Sequence, residues 1–142
     1  MAERNKAITC RLFEEVFPNG SRAALAEIVH PEAVGHEAPP GTPPGPEGVW
    51  RTVQFLRATF ADLAYEIHHV VGDGDLVALH CTLHGRQVGP LLGIPPTGGM
   101  VSLPMMRLLR FADGKIIEDW GVRDDLAMMR QLGVAPEPTA AR

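Results

Sequence analysis

The chain has 142 residues, with 13 lysines and arginines against 17 aspartates and glutamates, and a net charge of −4. This length suits one domain, and the acidic balance argues against a nucleic-acid or basic membrane-binding surface. No apolar stretch reaches the roughly 20 residues that a bilayer crossing needs. Two cysteines and a start without an apolar leader predict a cytoplasmic protein with free thiols, whose partner is a hydrophobic small molecule or a second copy of itself.

The first 60 residues predict three helices. Apolar residues at helical spacing indicate an amphipathic helix over Glu3–Phe17 and a shorter helix over Ser21–Ile28. A short extended piece, Glu32–Glu37, leads to the proline-rich loop Ala38–Pro46. The third helix, Glu47–Phe60, has enough aromatic residues to form one wall of a pocket, although a core helix would look the same.

The rest of the chain predicts two antiparallel hairpins and a closing helix. Strands are predicted over Tyr65–Val71, Leu76–Leu83, Met100–Phe111 and Ile116–Val122, with an irregular connection at Gln87–Gly99 and a helix at Asp125–Leu132. Helices followed by strands predict an α+β fold, a cone of three N-terminal helices packed on a curved antiparallel or mixed sheet around an apolar pocket. We expect one domain over residues 1–134 and a flexible tail over residues 135–142.

Several short motifs occur in a characteristic order between His30 and Gly133. They are His36 followed by Gly48, Gly74–Ala78, His84–Gly85, Gly93–Gly98, Arg110–Ile116, and Trp120 with Asp124 before Gln131–Gly133. In this order they resemble the SnoaL-like polyketide cyclases of the nuclear transport factor 2-like superfamily. The resemblance implies a cone-shaped enzyme, usually a homodimer through the outer face of its sheet. It also implies ring closure of a polyketide ester by intramolecular aldol condensation, without metal or organic cofactor.

Asp124 is the residue that looks like the acid/base of that family, an aspartate near the end of the last long strand. A carboxyl group in a partly apolar pocket can remove a proton beside a carbonyl and return it to the new alkoxide. The alternative is a structural role, because an aspartate before Leu126–Met129 is also a good helix N-cap. His36 is the second catalytic candidate, since it could hydrogen-bond a substrate carbonyl or orient Asp124.

The last hairpin supplies candidates for substrate binding. If Asp113–Gly114 closes a two-residue turn, Trp120 lies opposite Arg107 and shares its face with Met105 and Asp124. A bulge near Gly121 would reverse this alternation, and Arg107 could also serve only as a structural partner.

Trp50, His80 and Met105 complete the substrate-binding candidates. In the first hairpin, alternation predicts that His69 and His80 share one face and that His68 lies on the other. We expect no metal, because no helical histidine pair or Cys-x-x-Cys motif is present.

The leading hypothesis is therefore a cofactor-independent polyketide cyclase that uses Asp124. An isomerase, a dehydratase or an epoxide hydrolase on the same fold is the enzymatic alternative. Epoxide hydrolases of the superfamily use an Asp-Arg-Asp arrangement, for which Arg107 and Asp124 offer a partial match. A non-catalytic dimeric domain that binds a small molecule is the alternative from another class.

Overall fold

The computed structural model describes residues 1–136 as five α-helices and one five-stranded sheet. The helices are α1 (Ala2–Arg11), α2 (Phe17–Asn19), α3 (Arg22–Ile28), α4 (Pro46–Thr59) and α5 (Asp125–Gln131), with a π-helical segment, Leu12–Val16, joining α1 to α2. The strands are β1 (Val29–Gly35), β2 (Phe60–Asp73), β3 (Leu76–Gln87), β4 (Met100–Ala112) and β5 (Lys115–Arg123). Most of the predicted tail, residues 135–142, lies outside the described residues.

The strands lie in the order β1-β5-β4-β3-β2, which confirms the predicted α+β fold. Strands β2 to β5 form antiparallel pairs, and β1 runs parallel to β5, so the sheet is mixed and does not close into a barrel. The predicted extended piece at Glu32–Glu37 starts earlier than expected, at Val29.

One face of the sheet is buried under the N-terminal helices. Alternate residues of β3 and β4 point to this inner face and form the core, among them Val77, Leu79, Leu83, Leu103 and Leu109. The intervening residues point to the outer face, as the period of two in a strand requires. Helix α4 presents Val53 to the core, with no exposed surface.

The π-helical segment packs its apolar side chains into the core. Phe13 and Val16 of this segment and Phe17 of α2 are all buried, and the backbone N–H of Phe17 donates to the carbonyl of Leu12. Helix α2 ends at Gly20, whose φ of 74° lies in the left-handed region that favours glycine. Within the described part of the chain, no helix is long and apolar enough to cross a membrane.

Candidate active site

The register of the β4–β5 hairpin decides which side chains enter the cone. Arg107 lies opposite Gly121, and Trp120 lies opposite Leu108 on the outer face. The predicted pairing of Trp120 with Arg107 is therefore wrong. The cause is a one-residue bulge at Ile117, which leaves that residue without a partner and shifts the rest of β5 by one position.

Arg107 is the centre of a charged cluster on the inner face. Its Nε and Nη2 atoms donate to the two carboxylate oxygens of Asp119 over 3.2 and 2.7 Å, and its Nη1 lies 2.7 Å from Glu37 Oε1. The side chain of Arg107 is 11% exposed, whereas those of Asp119 and Glu37 are 30% and 28% exposed. Glu37 follows the end of β1, so the cluster joins the parallel edge of the sheet to its centre.

Two carboxyl groups share one guanidinium in this cluster, and burial affects the protonation of Asp119. Burial raises the pKa of Asp119, and the charge of Glu37 adds to the rise, while the attraction of Arg107 opposes it without cancelling it. Burial acts to lower the pKa of Arg107, but the charges and hydrogen bonds of Asp119 and Glu37 outweigh it and raise that pKa. Arg107 therefore stays a cation, and Asp119 holds its proton more strongly than an ordinary aspartate.

Asp124 takes the structural role considered for it in the sequence. It is the N-cap of α5, where its Oδ1 accepts a hydrogen bond of 3.0 Å from the backbone N–H of Ala127. Its own backbone N–H donates to the carbonyl of Pro104, and the residue is exposed. Its carboxylate thus helps to join the last strand to the closing helix.

His36 and Trp120 lie together on the outer face. Their rings stack with centroids 4.8 Å apart and planes 7° apart, and His36 Nε2 lies 2.9 Å from Glu118 Oε2. Glu118 also approaches Arg110, at 3.4 Å. Because the sheet lies between this group and Arg107, His36 is not placed to orient a base in the cone.

The other substrate-binding candidates lie on different parts of the fold. Met105 is buried on the inner face, opposite Cys81. His80 is on the outer face, with its Nδ1 3.1 Å from Nδ1 of His69. Trp50 lies on α4, where the guanidinium of Arg22 covers its ring at 5.3 Å.

The expected alternation of the histidines is half right. His69 and His80 share one face, as predicted, and are also paired across the strands. A bulge between Ile67 and His69 also turns His68 outward, where its Nε2 lies 2.8 Å from the Thr82 hydroxyl, so its predicted position on the opposite face is wrong. Despite this cluster, residues 1–136 contain no group of three histidine, cysteine or acidic side chains placed to hold a metal ion.

Two surface hollows of about 310 and 300 Å³ lie away from Arg107. The first is beside Arg57 and Asp62, and the second is beside Arg4 and Asp113. We place the candidate site at the Arg107 cluster instead, because buried charges and a raised carboxyl pKa indicate chemistry better than an open surface depression does.

Sequence reasoning missed Glu37, Asp119 and Tyr65 as candidates. Glu37 ends the predicted extended piece, and regular alternation from Trp120 would place Asp119 on the outer face, because such alternation does not allow for the bulge. Tyr65 begins a predicted strand, and its one distinguishing signal in the sequence is that it is the single tyrosine of the chain.

The fold and the cluster define a class of protein, a half-open α+β cone with a buried charged centre and helices on one face of a mixed sheet. The model of the SnoaL-like polyketide cyclase family matches residues 7–132. An aklanonic acid methyl ester cyclase of Streptomyces peucetius is 35% identical over 91% of this chain and 90% of that protein. A nogalonic acid methyl ester cyclase of Streptomyces nogalater is 33% identical over 82% of this chain and 89% of that protein.

A solved structure shows the same architecture. TsrD from Streptomyces laurentii superimposes with a TM-score of 0.85 at 28% identity, over 93% of this chain and 96% of that one. The chain therefore belongs to the SnoaL-like polyketide cyclase family, as its motifs predicted. It is an enzyme of the SnoaL-like cyclase type.

Proposed function

We propose that this enzyme closes a ring in a polyketide ester by intramolecular aldol addition, with Asp119 as acid/base. The observation that carries the proposal is the buried Arg107 cluster on the inner face, where burial raises the pKa of Asp119. The curated relatives are named for the cyclisation of aklanonic and nogalonic acid methyl esters, which supports the same substrate class here.

The reaction can proceed with protein groups alone. The ionised carboxyl of Asp119 removes a proton from a carbon beside a carbonyl, and the resulting enolate carbon attacks a second carbonyl carbon of the same molecule. The electron pair of that C=O bond moves to oxygen, and protonated Asp119 returns the proton to the alkoxide. Arg107 stays cationic throughout, holds Asp119 in place and stabilises the negative charge that develops on oxygen.

Two matched variants test the choice of carboxyl group. Asp119→Asn removes the acid/base while keeping the size of the side chain, and we expect turnover of aklanonic acid methyl ester to fall by about 100-fold or more. Asp124→Asn keeps a good N-cap and should leave turnover within a few-fold of the parent. If Asp119→Asn folds and cyclises as fast as the parent, the assignment fails, and a loss confined to Asp124→Asn would return the role to Asp124.

A second candidate is an epoxide hydrolase, which one observation favours. Glu37 and Asp119 flank Arg107 on either side, a carboxyl-arginine-carboxyl arrangement like the one that superfamily epoxide hydrolases use. One carboxylate would activate water and the other, protonated, would donate to the epoxide oxygen. Hydrolysis of cyclohexene oxide with incorporation of 18-oxygen from water, lost in both Glu37→Gln and Asp119→Asn, would favour this candidate over the cyclase.

We also expect a homodimer that forms through the outer sheet face and acts in the cytoplasm. Exposed apolar side chains support the dimer, since Met106, Leu108 and Val122 lie together on that face at 53%, 38% and 74% exposure. Light scattering on the parent and on Leu108→Lys tests it, because a lysine in the interface should shift the mass towards the monomer. A parent that is monomeric at micromolar concentration would contradict the expectation.

A further inference from the structure

Tyr65 is a polar side chain of the cone interior that the mechanism above does not use. It lies on β2 opposite the buried Leu83, so its ring points to the inner face. The ring packs edge-on against Phe13, with centroids 5.2 Å apart, and against Phe17 at 5.7 Å. These contacts hold the ring between the sheet and the N-terminal helix and fix the direction of its hydroxyl.

Within residues 1–136, the hydroxyl of Tyr65 has no hydrogen-bond partner. Among the hydrogen bonds of residues 1–136, none involves it, whereas every fully buried side-chain nitrogen or oxygen in that part of the chain has a partner. The hydroxyl is therefore not fully buried, and Tyr65 is only half-buried despite its apolar neighbours. A phenol whose ring is held by aromatic contacts, and whose hydroxyl is neither fully buried nor bonded within residues 1–136, is available to a ligand.

The electrostatic surroundings keep this phenol in its donor form. Burial raises the pKa of Tyr65 above the usual range of tyrosine, although the positive charge of Arg107 opposes the rise. The hydroxyl therefore keeps its proton at neutral pH and can donate a hydrogen bond. Tyr65 and Arg107 both point to the inner face of the sheet, because Tyr65 lies opposite Leu83 of β3 and Arg107 lies opposite Leu79 of the same strand.

We infer that the Tyr65 hydroxyl donates a hydrogen bond to a carbonyl or enolate oxygen of the substrate bound beside Arg107 and Asp119. This inference rests on the proposed function, because it needs an oxygenated ligand inside the cone. The phenol and the guanidinium then approach the substrate from different elements, β2 and β4. Together they stabilise the oxygen on which negative charge develops while Asp119 moves the proton.

The chain offers a direct probe, because Tyr65 is its only tyrosine. Protein produced with 3-fluorotyrosine carries a single fluorine environment, so its one 19F resonance reports on this side chain alone. We expect saturating aklanonic or nogalonic acid methyl ester, with binding followed by calorimetry, to shift that resonance. Tyr65→Phe keeps the ring contacts with Phe13 and Phe17, so it should fold like the parent and lose about 10- to 100-fold in kcat.

The outcomes separate this inference from the proposed function. An ester that is cyclised while the resonance stays unmoved, or is cyclised by Tyr65→Phe at the parental rate, overturns the role of Tyr65 alone. An ester that binds and shifts the resonance without being cyclised overturns the cyclase proposal and supports the Tyr65 contact. If neither ester binds, both are overturned for this substrate class.

Discussion

Arg107 and Gly121 face each other across β4 and β5, and the guanidinium of Arg107 occupies the space that a side chain at position 121 would need. A Cβ atom on Gly121 would lie 2.5 Å from Nη1 and 2.6 Å from Cζ of Arg107. The guanidinium cannot simply move aside, because Glu37 and Asp119 bind it from two directions. The absence of a side chain at position 121 is thus part of the site.

Gly121→Ala should therefore displace the guanidinium and weaken its bonds to Glu37 and Asp119. We expect a loss of about 1–3 kcal/mol in the free energy of unfolding, as for other overpacked sites, and a large fall in turnover. Urea unfolding and steady-state kinetics measure the two effects. Gly35→Ala is the matched control, since its Cβ would meet only the Ala38 side chain, at 3.7 Å. A Gly121→Ala protein as stable and active as this control would contradict the prediction.

Arg107→Met should destabilise the fold, because it leaves the carboxylates of Glu37 and Asp119 without their cationic partner. Removing one partner from a buried ion pair destabilises by about 3–5 kcal/mol, and we expect a loss in that range at pH 7. Without the guanidinium, which opposes the rise, the pKa of Asp119 would lie still further above its unfolded value. Stability would then be retained below the unfolded pKa, near pH 4, and lost as the pH rises through the folded one.

Arg110→Met is the control for this experiment. Arg110 also binds two carboxylates, those of Asp75 and Glu118, but its side chain is 39% exposed. Its removal should cost no more than about 1 kcal/mol, because water screens exposed pairs. Chemical denaturation at pH 7 measures the free energy of unfolding of both variants. Equal losses would show that the ion pairs of Arg107 stabilise the fold no more than those of a surface arginine.

The fold could be predicted because each element has a periodic apolar pattern. From Val101 to Phe111 every second residue except Arg107 is apolar, and this face is the buried one in the structure. The bulge at Ile117 could not be predicted, because it has no glycine or proline and Ile117 suits a regular strand equally well. Alternation therefore placed Trp120 inside and Asp119 outside, the reverse of what the structure shows. The ion pair of Glu37 with Arg107 could not be predicted either, because the two residues are far apart in sequence.

Asp124→Ala should weaken the start of α5. The carboxylate caps Ala127, so we expect a loss of about 0.5–2 kcal/mol in the free energy of unfolding. Asp124→Asn should recover most of it, because asparagine is an equally good N-cap. Thermal unfolding of the three proteins measures the effect. Equal destabilisation by both substitutions would mean that the charge of Asp124, and not its hydrogen bond, matters.

Gln87→Leu should destabilise the irregular connection between β3 and β4. Gln87 is fully buried, its amide nitrogen donates to the carbonyls of Gly89, Ile94 and Pro95, and its Oε1 accepts from the hydroxyl of Thr97 at 2.7 Å. A leucine would leave these groups without partners, which costs about 1–3 kcal/mol for a buried group. Hydrogen exchange over residues 88–98 should accelerate.

Gln131→Leu is the matched control for Gln87→Leu. Gln131 also bonds backbone groups, those of Ser102, but it is exposed. Water can replace its bonds, so its substitution should leave exchange over residues 88–98 unchanged. Similar exchange in the two variants would show that the connection does not depend on Gln87.

Cys81 should make the fold sensitive to alkali. Burial raises the pKa of its thiol to about 11, and the residue has no exposed surface. The unfolded thiol ionises from about pH 8.5, so the unfolded state loses its proton first. Stability should therefore fall as pH rises from about 8.5 towards 11, by about 1–2 kcal/mol at pH 10. Cys81→Ala should reduce this fall, and an identical pH dependence in the two proteins would contradict the assignment.

The bulge at Ile117 also affects how residues may be compared between relatives of this enzyme. A strand of the same length that pairs without such a bulge turns over beyond it, so the same column of an alignment can face the substrate in one protein and solvent in another. In this chain, regular pairing through Ile117 would move Asp119 to the outer face and bring Trp120 to the inner face, without any change in composition around the site. Roles in these cyclases are therefore better transferred by the face a side chain occupies than by its position in the sequence.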